Sequence, residues 1–557
     1  MTERQQAEPQ PQSGGGNSSL MRSGAIMALG TIASRLTGFV RTAVIVIALG
    51  TSLGSIYNLS NTIPNIVYDL LLGGILSSVV VPLLVKARRQ DKQYGEEYEQ
   101  RVFTAAVLFL LAITIGAVLL ASVIMNAYNP DLHGKERDVA VLFAVFFLPQ
   151  IFFYGVGAFA GAILNTRNSF AAPMWAPVLN NIVVIAMGGI FLFLHTGDDP
   201  TAANISDTEF LLLAIGTTGG IVLQTVALWP SLRRVGWKWR PRLDFRPGEL
   251  GLVGRTAGWT LFYVVMTQIG FLMVTRFVNG GDALAKEAGL GSSYGFASYS
   301  TAYQFFQLPY AIVAVSVITA LLPRMSQHAA EDQKDLVRDD FSSGLRLSSV
   351  LIIPGAALLL TLSGDIATAF LQHGKFTAAD AAVIARIMQV FAVALVPFAI
   401  YQLMLRVFYA YRDTRTPALV AIATVITNIV CAYVAYETLE PQDIVTGIAA
   451  AFVVTNVVGV VVCSLVLRRR LGRMDAGRII AAHVKMLAAA GPLAAFAWGC
   501  HVGFEKWAGT GLVPSLLALV VGSVGGGILY LVSARLLHVA EVETMTRALS
   551  ARIPGLR

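Results

Sequence analysis

Long apolar segments follow one another from residue 21 almost to the end of the 557-residue chain, with short polar loops between them. A helix of about 20 apolar residues is long enough to cross the hydrocarbon core of a bilayer. Because the core holds no water, a spanning helix satisfies its own backbone hydrogen bonds. The pattern therefore predicts an all-α integral membrane protein with fourteen transmembrane helices. The predicted spans are 21–50, 55–85, 101–127, 139–165, 170–195, 208–232, 249–278, 294–323, 341–363, 381–411, 416–436, 444–467, 479–500 and 511–535.

The composition agrees with a membrane protein. Apolar residues make up 55% of the chain and charged residues 13%, against about 25% charged residues in soluble domains. The formal charge of +8 is concentrated in alternate loops, which is a topology signal rather than a nucleic-acid-binding surface. The three cysteines form no C-x-x-C pair and the seven histidines are scattered. We therefore expect no nucleic-acid partner, no metal site and no cofactor.

The loop charges also predict the orientation. Lys and Arg are frequent in 86–101, 233–246 and 468–478, whereas 196–207 and 437–443 contain none. With fourteen spans, the three basic loops fall on one side of the membrane. Positively charged loops remain in the cytoplasm, so both termini are predicted to be cytoplasmic. Residues 1–20 then form a disordered cytoplasmic tail and residues 536–557 a cytoplasmic C-terminal tail.

An internal repeat divides the spans into two sets of six. Several residues recur at one offset of 248 positions: Pro149 and Pro397, Thr166 and Thr414, Arg167 and Arg415, Asn180 and Asn428. The repeat predicts a six-helix lobe over 21–234 and another over 249–468, related by a parallel pseudo-two-fold axis along the membrane normal. Two additional helices over 479–535 lie outside it. Transporters often bind their substrate between two such halves.

Charged residues inside the spans are the first candidates for function, because each costs several kcal/mol at the bilayer centre unless it faces a cavity or a partner. Arg35 and Arg41 lie in span one, and Arg406 lies in span ten. We interpret the first two as contacts to an anion in a cavity; the alternative is a packing pair of Arg41 with Asp69 of span two. Arg406 is either a substrate contact or a packing charge.

Span two is expected to bend and to face the cavity. It carries Asn58-Leu59-Ser60-Asn61-Thr62-Ile63-Pro64-Asn65, and a proline leaves a backbone carbonyl without its helical partner. Span eight repeats the pattern with Gln304 ahead of Pro309. No G-x-x-x-x-G-K-[ST] motif, no G-x-S-x-G motif and no paired carboxylates occur in the spans. The sequence therefore predicts a transporter rather than an enzyme or an ATPase.

Three stretches resemble the MurJ/MviN lipid II flippases of the multidrug/oligosaccharidyl-lipid/polysaccharide exporter superfamily. They are Ser34-Arg35-Leu36-Thr37-Gly38-Phe39-Val40-Arg41, then Ile63-Pro64-Asn65 with Gly74 and Val81-Pro82, and Gln307-Leu308-Pro309 with Leu322-Pro323-Arg324-Met325-Ser326. The resemblance implies a flippase of the bacterial cytoplasmic membrane. It would move lipid II, the undecaprenyl-diphosphate-linked peptidoglycan precursor, from the inner to the outer leaflet by alternating access.

The resemblance also implies a cationic cavity for the diphosphate and a groove for the lipid tail beside the two added helices. Membrane lipids and cell-wall synthesis proteins are the other partners it suggests. The candidate substrate-binding residues are Arg35, Arg41, Asn65, Asp69, Gln304 and Arg406.

The chain departs from the family pattern at three places. Thr42 stands where the family usually has an acidic residue, and Tyr68 and Asp69 stand where it often has arginine. Gln304 replaces another arginine. These departures leave two alternatives open: an exporter of another polyprenyl-linked saccharide or a drug, and a non-transporting scaffold for cell-wall synthesis. The sequence does not identify the energy source of transport.

Overall fold

The computed structural model describes residues 15–69, 92–167, 169–244, 249–291, 293–372 and 376–543. Every regular element in these ranges is a helix. Eleven helical segments there are long and apolar enough to cross a membrane. The predicted all-α membrane class is therefore confirmed.

Seventeen helices make up the described chain, and each predicted span contains one or two of them. In the first half they are α1 (Gly15–Leu49), α2 (Ser52–Asp69), α3 (Lys92–Leu119), α4 (Ala121–Tyr128), α5 (Gly134–Phe147), α6 (Gln150–Thr166), α7 (Ala171–Leu194), α8 (Asp207–Val226) and α9 (Trp229–Arg234). The others are α10 (Glu249–Glu287), α11 (Phe296–Ala330), α12 (Lys334–Leu371), α13 (Ala378–Ala410), α14 (Arg415–Thr438), α15 (Ile444–Leu471), α16 (Ala476–Ala508) and α17 (Leu512–Leu536). Helices α1, α2 and α11 occupy the three predicted spans that are not among the eleven.

The predicted fourth span is broken where proline interrupts it, between α5 and α6. Proline has no N–H to donate, so a preceding carbonyl loses its helical partner. On α8, the Thr218 hydroxyl donates to the Phe146 carbonyl next to the break (2.7 Å). The same hydroxyl accepts from Nε2 of Gln150 (3.1 Å). These two bonds fix the break and the orientation of the first side chain of α6.

Helix α1, which carries the two candidate arginines, packs closely along α7. Nδ2 of Asn181 donates to the Ser34 carbonyl (3.1 Å) and to the Thr37 hydroxyl (2.9 Å). Further along, a Cβ atom at Gly188 would lie 2.7 Å from the Val44 side chain. The glycine thus permits the close approach, and α7 fixes the position of α1.

The two added helices pack on the second half through α12. Gly522 of α17 lies against Ala497 of α16, as expected for the close-packed G-x-x-x-G spacing. A buried apolar cluster, which includes Val350, Met486 and Leu493, joins the three helices. Arg346 of α12 also pairs with Glu541, just beyond α17. Helices α16 and α17 are therefore integral to this half.

Two of the basic segments lie together at one end of the bundle. Gln100, at the start of α3, donates to the Lys238 carbonyl (2.9 Å) and accepts from the Arg240 amide (2.7 Å). Segment 92–101 and segment 235–244 therefore share one side, as the charge pattern predicts.

Candidate functional site

A cavity of about 760 Å³ lies between α1, α2, α6, α7, α8 and α11. Most of its wall belongs to the first half. It extends toward the end of the bundle at which α6 ends and α7 begins, since Asn165 and Pro173 line it. Four of the six candidate residues line this single cavity: Arg35, Arg41, Asn65 and Gln304.

The other two candidates are not in this group. The side chain of Asp69 lies outside the described part of the chain, so the packing pair with Arg41 has no structural description. Arg406 lies four residues before the end of α13 and lines neither this cavity nor the smaller one below. Its guanidinium lies 5.7 Å from the centre of the Tyr409 ring and close to Tyr310 of α11. Arg406 therefore belongs to the aromatic interior of the second half, because its side chain faces α11 rather than α1.

A second, smaller cavity of about 40 Å³ adjoins the large one. Arg41, Thr42, Tyr154, Asn180 and Gln304 line both. The small cavity lies deeper, toward the end of α1 and the start of α2. The other polar side chains that line it are Tyr57, Asn58, Asn61, Gln150, Thr217 and Thr301.

Arg35 and Arg41 give the large cavity its positive charge. They are six residues apart on α1, which is about 9 Å along the helix axis. Neither guanidinium has a hydrogen bond or an ion pair with any residue that the structure describes. An arginine inside a membrane span is costly unless it faces a cavity or a partner. Two arginines in the wall of one cavity therefore make that cavity suited to an anionic ligand. Planar guanidinium groups bind phosphate oxygens in pairs.

Asn65 is held in the cavity wall by two hydrogen bonds. Its Nδ2 donates to the Asn61 carbonyl one turn earlier (2.8 Å). Its Oδ1 accepts from the Tyr154 hydroxyl of α6 (2.9 Å). The bond joins the polar face of α2 to α6, so Tyr154 is a cavity residue that the sequence analysis did not identify.

Thr42 and Gln304 connect the two halves across the cavity. The Thr42 hydroxyl of α1 donates to Oε1 of Gln304 on α11 (2.5 Å). These are two of the positions at which the sequence departs from the charged residues of the family pattern. Thr42 and Gln304 contact each other, so a hydrogen bond between two neutral side chains joins the halves at this point.

Beyond the small cavity, the two halves are in direct contact. The Ser55 hydroxyl of α2 accepts from the Ala297 amide of α11 (3.3 Å). The halves are therefore closed at this end, whereas the large cavity lies toward the opposite end.

Asn180 and Gln150 are the other functional candidates that the sequence analysis missed. Asn180 was noted as a repeat position and Gln150 follows Pro149, but neither observation indicates a cavity. Among the described residues, no group of three or more His, Cys, Asp or Glu side chains is placed to hold a metal ion. The chemistry of the site is that of two arginines among neutral hydrogen-bonding groups, which suits binding.

Comparison with known proteins gives one family. A family model described as Lipid II flippase MurJ matches residues 44–522. A probable lipid II flippase MurJ of Rhizobium meliloti is 27% identical over 467 residues, which are 82% of each chain.

Solved structures with a similar fold include the following two. A lipid II flippase MurJ in an inward closed conformation gives a TM-score of 0.71 at 20% identity, covering 92% of this chain and 99% of the other. An inward-facing multidrug resistance MATE family transporter of the MOP superfamily gives 0.62 at 15% identity, covering 80% and 96%. At these identities the likeness describes the fold alone.

Proposed function

Because the family model covers most of the chain, this protein belongs to the lipid II flippase MurJ family, and we propose that it moves lipid II from the inner to the outer leaflet by alternating access. The observation that carries the proposal is the pair Arg35 and Arg41 in one cavity. Neither has a counter-ion in the described ranges. The diphosphate of a polyprenyl-linked precursor supplies the anionic oxygens that two guanidinium groups bind.

The proposal includes the finer architecture. Fourteen spans form two six-helix lobes, 21–234 and 249–468, with two added helices over 479–535. Both termini and the basic loops are cytoplasmic, in the cytoplasmic membrane of a bacterium. The large cavity then opens toward the cytoplasm, where the precursor is made, and the contact of Ser55 with Ala297 closes the outer side.

Each part of the site has a role in this mechanism. Arg35 and Arg41 hold the diphosphate, while Asn65 and Gln304 hydrogen-bond to polar groups next to it. The lobes then separate at the outer end, which breaks the Thr42–Gln304 bond. The protein catalyses no covalent step. Membrane lipids surround it, and cell-wall synthesis proteins are its expected partners.

Transport by purified protein in vesicles tests the proposal. Fluorescent lipid II is placed in one leaflet, and its arrival in the other is measured. Arg41→Ala should slow transport about ten- to hundredfold, because one or more charge-assisted hydrogen bonds to the substrate are lost. Arg386→Ala is the matched control, since Arg386 is exposed and pairs with Asp443 away from the cavity.

Three results would contradict the proposal. Full transport by the double variant Arg35→Ala/Arg41→Ala would mean that these residues do not bind the substrate. No transport by the unaltered protein, together with normal wall synthesis in cells that carry the double variant, would favour the scaffold. Transport of another polyprenyl-linked saccharide or a drug in place of lipid II would favour the exporter.

A further inference from the structure

Two amide side chains in the wall of the small cavity carry an oxygen without a hydrogen-bond donor. Asn61 and Gln150 line this cavity, and Oδ1 of Asn61 and Oε1 of Gln150 are buried and have no hydrogen-bond partner in the described part of the chain. Buried acceptors that lack a donor are destabilising, and native proteins leave few of them. Two such oxygens beside one cavity suit a group with several N–H or O–H donors as its occupant in another state of the protein.

The orientation of the Gln150 amide is fixed by its neighbours. The Thr218 hydroxyl has one hydrogen, which it donates to the Phe146 carbonyl (2.7 Å). Thr218 therefore accepts from Gln150, and the atom of Gln150 that lies 3.1 Å away must be the amino group Nε2. Oε1 of Gln150 therefore faces away from Thr218. Gln150 is fully buried and belongs to the wall of the small cavity. The helix break at Pro149 fixes the start of α6, so the Gln150 amide oxygen keeps this orientation.

Arg41 is the donor that matches these acceptors. It lines the same small cavity, and a guanidinium has five N–H donors and no acceptor. None of those donors has a partner among the described residues. The cavity, at about 40 Å³, holds roughly three water molecules. A saccharide does not fit in this volume, whereas the planar end of an arginine side chain does.

We propose that the small cavity is the resting place of the Arg41 guanidinium when the protein carries no substrate, with the amide oxygens of Asn61 and Gln150 as its partners. This inference rests on the proposed function, in which Arg41 binds a diphosphate. An alternating-access carrier must also return empty, and a desolvated arginine without partners would oppose that step. The two amide oxygens replace the diphosphate during the return.

A double-mutant cycle on purified, substrate-free protein in detergent tests the inference. The melting temperature is measured for the unaltered protein, Arg41→Leu, Gln150→Leu and the double variant. Gln150→Leu removes the bond to Thr218 in either background, so the inference concerns the difference: the loss in melting temperature should be about 2–4 °C larger when Arg41 is present than when it is absent. Adding undecaprenyl diphosphate should remove this coupling, because Arg41 then binds the diphosphate.

A matched control and a second variant make the result specific. Gln268 of α10 also has a buried amide oxygen without a partner among the described residues, but it belongs to the other half. Gln268→Leu should therefore show no coupling to Arg41→Leu. Gln150→Glu keeps an acceptor and adds charge, so it should stabilise the protein only when Arg41 is present.

Two outcomes would overturn the inference. Equal losses from Gln150→Leu with and without Arg41 would mean that the amide has a structural role alone. A rise in melting temperature with sodium or potassium chloride over choline chloride, retained in Arg41→Leu and lost in Gln150→Leu, would assign the cavity to a monovalent cation. Because the substrate-free cycle involves no transport, its result is independent of whether lipid II is the substrate.

Discussion

Arg167 and Arg415 are equivalent positions of the internal repeat, but their surroundings differ. Nη2 of Arg167 lies 2.7 Å from Oε2 of Glu99, and both side chains are almost fully buried. Arg167 also donates to the Val235 carbonyl (3.0 Å). Arg415 is exposed and lies over the Trp259 ring, with 5.5 Å to its centre. Arginine at this repeat position therefore forms a buried ion pair in the first half and an exposed contact with an aromatic ring in the second.

The difference gives a prediction for stability. Arg167→Ala leaves the Glu99 carboxylate buried without this guanidinium, and removing one partner of a buried ion pair costs about 3–5 kcal/mol. Arg415→Ala loses an exposed cation–π contact worth about 0.5–1 kcal/mol. Thermal unfolding in detergent should therefore show a large loss for the first variant and a small one for the second. Equal losses would mean that the buried pair contributes no more than the surface contact.

The sequence indicates the charged residues of the candidate cavity, but it does not indicate much of the neutral part of the cavity wall. Arg35 and Arg41 were recognisable because a charge inside a span is costly, and Asn65 because it follows a proline. Tyr154, Gln150 and Asn180 carry no such signal, since neutral polar residues in a span are common. The apolar pattern gives the depth of a residue but not the neighbour that its side chain faces, so Arg406 was grouped with a cavity that it does not line.

At the scale of elements, the apolar pattern marked the part of each helix that lies in hydrocarbon. The predicted span 249–278 belongs to α10, which has 39 residues, and the predicted span 341–363 to α12, which has 38. Helices of this length extend about 58 Å, well beyond a hydrocarbon core of about 30 Å. Their polar continuations lack the apolar signal, so the predicted boundaries fall short.

A proline inside a predicted span does not by itself predict a helix break. Pro149 separates α5 from α6, whereas its repeat partner Pro397 lies inside the continuous helix α13. At Pro149, the Thr218 hydroxyl compensates the carbonyl that the break leaves free. Such a partner comes from a helix about 70 residues away in sequence, so the local sequence does not reveal it.

The charges of the loops predict the orientation of the protein in the membrane. Residue 198 lies in the acidic loop after α7, and residue 238 lies in the basic segment that packs on α3. Both side chains are exposed. In a cysteine-free background, a membrane-impermeant maleimide added to intact cells should modify a cysteine at Asp198 and not one at Lys238. Permeabilised cells, in which both should react, are the control, and the reverse pattern in intact cells would invert the topology.

At the scale of the whole molecule, the two halves meet at one end and enclose the large cavity toward the other. A Cβ atom at Gly54 of α2 would lie 4.0 Å from Cβ of Ala297 on α11, within the usual disulfide range of about 3.5–4.5 Å. Within the second half, Gly270 of α10 and Val425 of α14 are similarly placed, with 3.7 Å between the corresponding atoms. These two pairs allow one cross-link between the halves and one inside a half.

The cross-links distinguish a carrier from a scaffold. Alternating access requires the halves to separate at the closed end, so a disulfide between Gly54→Cys and Ala297→Cys should abolish lipid II transport, and reduction should restore it. The disulfide between Gly270→Cys and Val425→Cys joins helices that move together, so transport should continue at close to its normal rate. Loss of transport with both cross-links would instead indicate that the second half itself must deform. If the first bond forms completely and cell-wall synthesis still proceeds, separation at this end is not required, and the scaffold becomes the better description of the protein.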